Sequence, residues 1–166
     1  MEFDSIDDIK QSGFRGFVPI SALQASKCRQ VPDEPGVYLV LRPGKTRPAF
    51  LSQSIGGHFK GKDPTVAVAE LENAWIEESP VVCIGKAGAP GRTATLRSRL
   101  LQYMRFGQGE AVGHWGGRYV WQLGQSGSLV VCWKTTPNAD PRTVEKGLIE
   151  EFEATYGKRP FANLRG

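Results

Sequence analysis

The sequence predicts an α+β domain, on three observations. Two short apolar runs, VYLVL at 37–41 and VVCIG at 81–85, have strand composition and are bounded by Gly, Pro and charged residues. Two further runs, RYVWQL at 118–123 and LVVCWKT at 129–135, flank GQSGS and read as a hairpin. Two stretches carry apolar residues at helical spacing instead: TLRSRLLQYMRF at 95–106 and PRTVEKGLIEEFEATYG at 141–157. The order strand, strand, helix, hairpin, helix separates the helices from the strands, which is the α+β pattern.

The elements follow in order. Residues 1–34 form an N-terminal extension, with short helices expected around SIDDIKQ and ISALQAS. VPDEPG breaks the chain before the first strand. The Gly-, Pro- and charge-rich stretch RPGKTRPAFLSQSIGGHFKGK reads as loop. Asp63 and Pro64 form an N-cap and first-turn pair for a helix reaching about Glu78, with Val68, Leu71 and Trp75 inward. KAGAPGRTA is a Gly-rich turn leading into the helix from Thr95 to Phe106. Asp140 and Pro141 repeat the cap signature before the last helix.

The chain has 166 residues, 40% hydrophobic and 23% charged, enough for one domain with its own core. The acidic start MEFDSIDDIK lacks the apolar run of a secretory signal, and no stretch is apolar enough to span a bilayer. Cys28, Cys83 and Cys132 are odd in number and widely spaced, which predicts reduced thiols and a cytoplasmic setting. With two histidines and no cysteine pair, zinc is disfavoured; oxygen ligands, and so Mg²⁺ or Mn²⁺, are the expected metal chemistry. The net charge is +4, and residues 81–135 hold Lys86, Arg92, Arg97, Arg99, Arg105, Arg118 and Lys134 against Glu110 alone. Such a basic segment predicts an anionic partner, usually nucleic acid; the alternative is a solvated face balanced by acids from elsewhere.

Several residues stand out against these patterns. On the last helix Val144, Leu148, Ile149, Phe152 and Tyr156 share one arc, and Glu145 projects into its centre. A carboxylate against a core is costly unless paired, protonated or bound to a metal. Taken alone, this helix leaves open a buried ion pair with an Arg or Lys. On the preceding helix Leu96, Leu100, Tyr103 and Met104 form the apolar stripe, with Arg99 on its flank and Arg97 and Arg105 pointing away. An arginine fixed at a core boundary suits bidentate binding of a phosphate, or a salt bridge to a neighbouring acid. GKAGAPGR has its lysine before most of its glycines and does not fit a Walker loop, though its backbone could approach an anion. HWGGRYVWQL sets His114 and Arg118 among aromatics that could stack bases, while Trp121 and Trp133 read as core; the role of His114 stays open.

Taken in order, GVY at 36–38, CIG at 83–85, LRSRLLQY, a helix with a central Glu and FAN at 161–163 resemble the GIY-YIG nuclease family. The resemblance covers about residues 35 to 164. It implies a small antiparallel sheet flanked by helices, in a domain over 35–166 with a helical insertion at about 42–80 between the first two strands. It also implies a metal-dependent endonuclease hydrolysing phosphodiesters in DNA. Glu145 would hold Mg²⁺ or Mn²⁺, Tyr38 would take a proton from the attacking water or orient it, and Arg99 would bind the scissile phosphate. Lys86 and Tyr103 would assist at the phosphate. Arg92, Arg97, Arg105, His114, Arg118 and Asn163 are the expected nucleic-acid contacts.

The sequence departs from that family in two places. Cys83 stands where the second motif has its Tyr, and a thiol cannot supply the same hydrogen bond. The two motifs are separated by residues 39–82, far more than a tight hairpin. A binding module without catalysis and a protein-interaction domain are therefore the alternative readings. At this length specificity would come from the insertion, the extension, a homodimer or a partner protein.

Overall fold

Gly36–Leu41 (β2) is buried at every position because both of its faces are covered. A computed structural model describes residues 1–164 as an α+β fold built on a small four-stranded antiparallel sheet. The other strands are Arg15–Pro19 (β1), Val81–Ala87 (β3) and Val130–Thr135 (β4), in the spatial order β1-β4-β2-β3. Strand alternation divides the apolar residues between two cores. Val37, Leu39 and Leu41 join Phe152 and Ile149 on one face; Tyr38 and Val40 join Leu100, Met104 and Trp121 on the other. The helices Ile6–Gln11 (α1) and Pro141–Tyr156 (α5) cover the first face. Ile20–Ser26 (α2) and Leu96–Gly107 (α4) cover the second. Among the described residues no helix is long and apolar enough to cross a membrane.

The sequence expectations hold for β2, β3, β4 and for the helices α4 and α5. Thr95 and Ser98 close a capping box at α4, and Asp140 with Pro141 starts α5. The expected hairpin does not form: residues Trp115–Gln122 are short 3₁₀ turns, not a strand. The reason is packing. Trp121 lies fully buried over Gly107, where a Cβ would meet its ring at 2.5 Å, and against Tyr103 at a centroid distance of 5.3 Å. Buried Gln122 is spent on the loop, donating to the Leu51 and Val66 carbonyls and accepting from Val66 N.

The partner of β4 comes instead from residues 1–34, expected as an extension. They supply β1, α1 and α2, and bury Phe3, Ile9 and Phe14 in one core and Ile20, Leu23 and Val31 in the other. A bulge between Gly16 and Val18 bends β1, with positive φ at Gly16 and Phe17. The helix expected from Asp63 to Glu78 shrinks to Val68–Ala74 (α3). Asp63 caps a local turn at Thr65, and the chain then runs extended so that Val66 can reach Gln122. Leu71 and Trp75 are buried as expected, while Val68 is partly exposed.

Candidate active site

The first side chain of the site is placed by a cross-strand pair. Tyr38 on β2 lies opposite Gly85 on β3, and the phenol leans over the glycine. A Cβ at Gly85 would stand 2.6 Å from Tyr38 Cε1 and closer still to Cζ and the hydroxyl, so only glycine leaves room for this ring. Gly36 is tight for a different reason, since a Cβ there would press on the Lys134 carbonyl and lie 2.8 Å from Leu96 Cδ1. The glycines of both short motifs are thus demanded by close approach.

The phenol of Tyr38 is 3% exposed, and its oxygen lies 3.1 Å from His114 Nε2. His114 is held by stacking on Tyr103, with centroids 3.7 Å apart and planes 7° from parallel. Tyr103 in turn donates its hydroxyl to the Gly117 carbonyl at 2.7 Å. Burial, and then the nearby Arg99 charge, push the His114 pKa well below the usual histidine range, so the imidazole is neutral at pH 7. Its Nδ1 is buried without a hydrogen-bond partner among the described residues. Burial raises the Tyr38 hydroxyl far above the ordinary phenol range, the Arg99 charge opposing only in part.

A depressed histidine pKa makes stability depend on pH. Above the ordinary value near 6.5 the group is neutral whether folded or unfolded, and below it only the unfolded chain takes up the proton readily. The stability linked to His114 is therefore complete above about pH 6.5 and is lost as pH falls towards the depressed folded value. Thermal melts from pH 7 to pH 5 should show wild type losing up to about 1.4 kcal/mol per pH unit more than His114→Gln. Parallel melting curves would contradict the neutral, buried imidazole.

Arg99 reaches the same place from α4. Its Nη1 donates to Gln102 Oε1 at 2.8 Å and to the Gly113 carbonyl at 3.1 Å, which orients the guanidinium and leaves donors free. On the opposite face of the sheet α5 presents Glu145. It is half-buried and has no cation within 4 Å among the described residues, so the buried ion pair is not found. Burial raises its carboxyl pKa, with Lys86, Arg159, Arg99 and Arg142 pulling the other way from further off.

The two faces meet at the edge strand β3, where one cleft of about 610 Å³ is lined by Tyr38, Cys83, Lys86, Arg99, His114 and Glu145 among others. Arg92, Arg159 and Asn163 also line it, giving four cations to one carboxylate among the described residues. Asn163 covers the edge of β3 by accepting from Ile84 N at 2.8 Å and donating to Ile84 O at 2.7 Å. Burial pushes the Cys83 thiol up to about 12, which leaves it protonated and a poor nucleophile.

Four of the expected residues lie elsewhere. Tyr103 is fully buried behind His114, a platform for the imidazole and no contact for a phosphate. Arg97 donates to the Val31 carbonyl and ties α4 to the N-terminal segment. Arg105 is engaged by Glu110 at 2.9 Å. Arg118 lies over Trp115, 4.7 Å from the ring centroid, and donates to the Trp115 carbonyl. Arg159, which no sequence pattern singles out, is in the cleft; its only signal was its place two residues before FAN.

The donor set decides what metal fits. No group of three or more His, Cys, Asp or Glu side chains gathers anywhere among the described residues, which argues against an all-protein cage. Glu145 alone offers the cleft a carboxylate without an ion-pair partner. That suits Mg²⁺ or Mn²⁺, which keep several waters and complete their shell with substrate phosphate oxygens. Comparison with family models, with curated proteins and with solved structures finds no match to this chain.

Proposed function

We propose that the chain is a metal-dependent endonuclease of the GIY-YIG type that hydrolyses phosphodiester bonds in DNA. One observation carries this reading: Glu145, a half-buried carboxylate with no ion pair among the described residues, faces the same cleft as Tyr38, Arg99 and Lys86. Arg99, oriented by Gln102 and Gly113, takes the scissile phosphate through its remaining donors and stabilises charge as it builds. Lys86 lies on the Glu145 side and adds a second positive charge. When bound at Glu145, Mg²⁺ or Mn²⁺ supplies Lewis-acid stabilisation and lowers the pKa of water.

Tyr38 works as a neutral phenol, because burial keeps its phenolate form out of reach. With His114 Nε2 as acceptor, the Tyr38 hydrogen points at the imidazole and an oxygen lone pair is left for water in the cleft. Tyr38 accepts a hydrogen bond from the attacking water and orients it, while its own hydrogen stays directed at His114 Nε2. A neutral imidazole is the form that accepts this hydrogen bond.

Cys83 favours a second reading, a nucleic-acid-binding module without catalysis, because a protonated thiol lines the cleft where the resembled family has a phenol. Nicking of supercoiled plasmid separates the two. Wild type should nick with Mg²⁺ or Mn²⁺ and stop in EDTA, and Arg99→Ala purified identically should be roughly 10²- to 10³-fold slower. If both proteins bind the plasmid in a salt-sensitive way and neither nicks it, the binding module takes over. Equal nicking by both would trace the activity to a contaminant and remove Arg99 from the phosphate.

A further inference from the structure

Arg159 belongs to two hollows at once. It lines the cleft, and with Asn163 and Leu164 it also lines a neighbouring hollow of about 360 Å³ formed with Tyr119, Lys158 and Phe161. The residues after it fix its backbone. Pro160 is buried, and Phe161 packs edge-on against Trp75 at 5.2 Å and stacks on Phe50 at 6.1 Å. Ala162 N donates to the Val82 carbonyl, and Asn163 holds both polar groups of Ile84. Arg159 is thus anchored to the same edge strand that carries Lys86.

The two cations of the second hollow differ in what they have left to give. Lys158 Nζ donates to the Asn73 and Trp75 carbonyls, both at 2.9 Å, and is occupied. Arg159 Nε is buried and has no hydrogen-bond partner among the described residues. The nearest carboxylate oxygen to it, Glu153 Oε1, is 3.9 Å away, too far for a hydrogen bond and a weak pair at this exposure. The Arg159 side chain is 33% exposed on the partition between the two cavities, which places its guanidinium for an anion that spans them.

We propose that Arg159 binds a second backbone phosphate, next to the one held at Arg99, and that the nucleic-acid strand leaves the cleft across it into the second hollow. The ligand class is then a polynucleotide presenting at least two consecutive phosphates, not a mononucleotide or an isolated diester. The inference rests on the nucleic-acid reading of the cleft.

The test is fluorescence anisotropy with fluorescein-labelled single-stranded DNA in EDTA, so that nothing is cut, at two lengths of roughly 4 and 12 nucleotides. Arg159→Ala should weaken binding of the longer strand about tenfold at low salt and flatten its plot of log K against log salt by about 0.7, the share of a single phosphate. Arg159→Lys should keep the wild-type salt slope while losing part of the affinity, which also guards against a misfolded alanine variant. Glu153→Ala should bind as wild type does or more tightly. An unchanged slope in Arg159→Ala would overturn the inference. So would Glu153→Ala reproducing the alanine loss, because the arginine would then serve only as an ion-pair partner. A wild-type protein that binds neither strand would sink the nucleic-acid reading itself, and this inference with it.

Discussion

If the chain is the nuclease proposed above, Glu145→Gln should abolish cleavage and stabilise the protein in the same step. The substitution keeps the size and shape of the side chain and removes its charge. Cleavage should fall by roughly 10³-fold or more, since the one carboxylate that the described residues offer to a metal in the cleft is gone and several kcal/mol of transition-state stabilisation go with it. Stability should move the other way. Burial raises the Glu145 pKa, so the folded state holds its proton more tightly than the unfolded chain does. The contribution is then fully present below the ordinary carboxyl range and is lost as pH rises through the folded value. At neutral pH wild type carries that loss and Gln does not. Relief of a costly active-site charge is typically worth roughly 0.5–2 kcal/mol. Thermal melts should show the Gln variant melting higher at pH 7, with the gap closing below about pH 4.5. A variant less stable at pH 7 would mean that the carboxylate is held by a favourable partner in the folded chain.

Gly85→Ala should also cost much of the activity without touching a reacting group. The added methyl would occupy the space of the Tyr38 ring and hydroxyl, with strand backbone on one side and His114 on the other. The ring must shift, and a misplacement of about 1 Å in such a site costs about 10²-fold. Overpacking at this depth should also cost about 1–3 kcal/mol of stability. Plasmid nicking with a denaturation curve for each protein measures both. If the alanine variant nicks at the wild-type rate, Tyr38 does not need its position over Gly85 and its role in orienting the water fails.

Much of this site was legible in the chain. Glu145 and Arg99 declared themselves by sitting where helical periodicity calls for apolar residues or their border, and both line the cleft. The glycines of the two motifs were visible as pattern, but the ring and carbonyl that demand them lie across the sheet. Charge counting failed for Arg97, Arg105 and Arg118, because composition cannot distinguish a free guanidinium from one held by a carbonyl, a carboxylate or a tryptophan face. The same limit hid Arg159 among balanced charges. The strand-like RYVWQL was misleading because Trp121 finds a better home over Gly107 than in a ladder. RGFVP does not read as a strand because its glycine and its bulge break the alternation that marks one.

That N-terminal strand sets the order in which the molecule can be completed. More than a hundred residues separate Pro19 from its partner Val130, and the Met1 amine meets Glu151 at 2.7 Å. During synthesis β1 therefore leaves the ribosome long before β4 exists to receive it. Until then β1 has no strand to pair with. Loop closure over that span is slow compared with any local helix. The cleft, which draws on Tyr38, Glu145 and Asn163, is accordingly assembled only once the chain has emerged past Asn163.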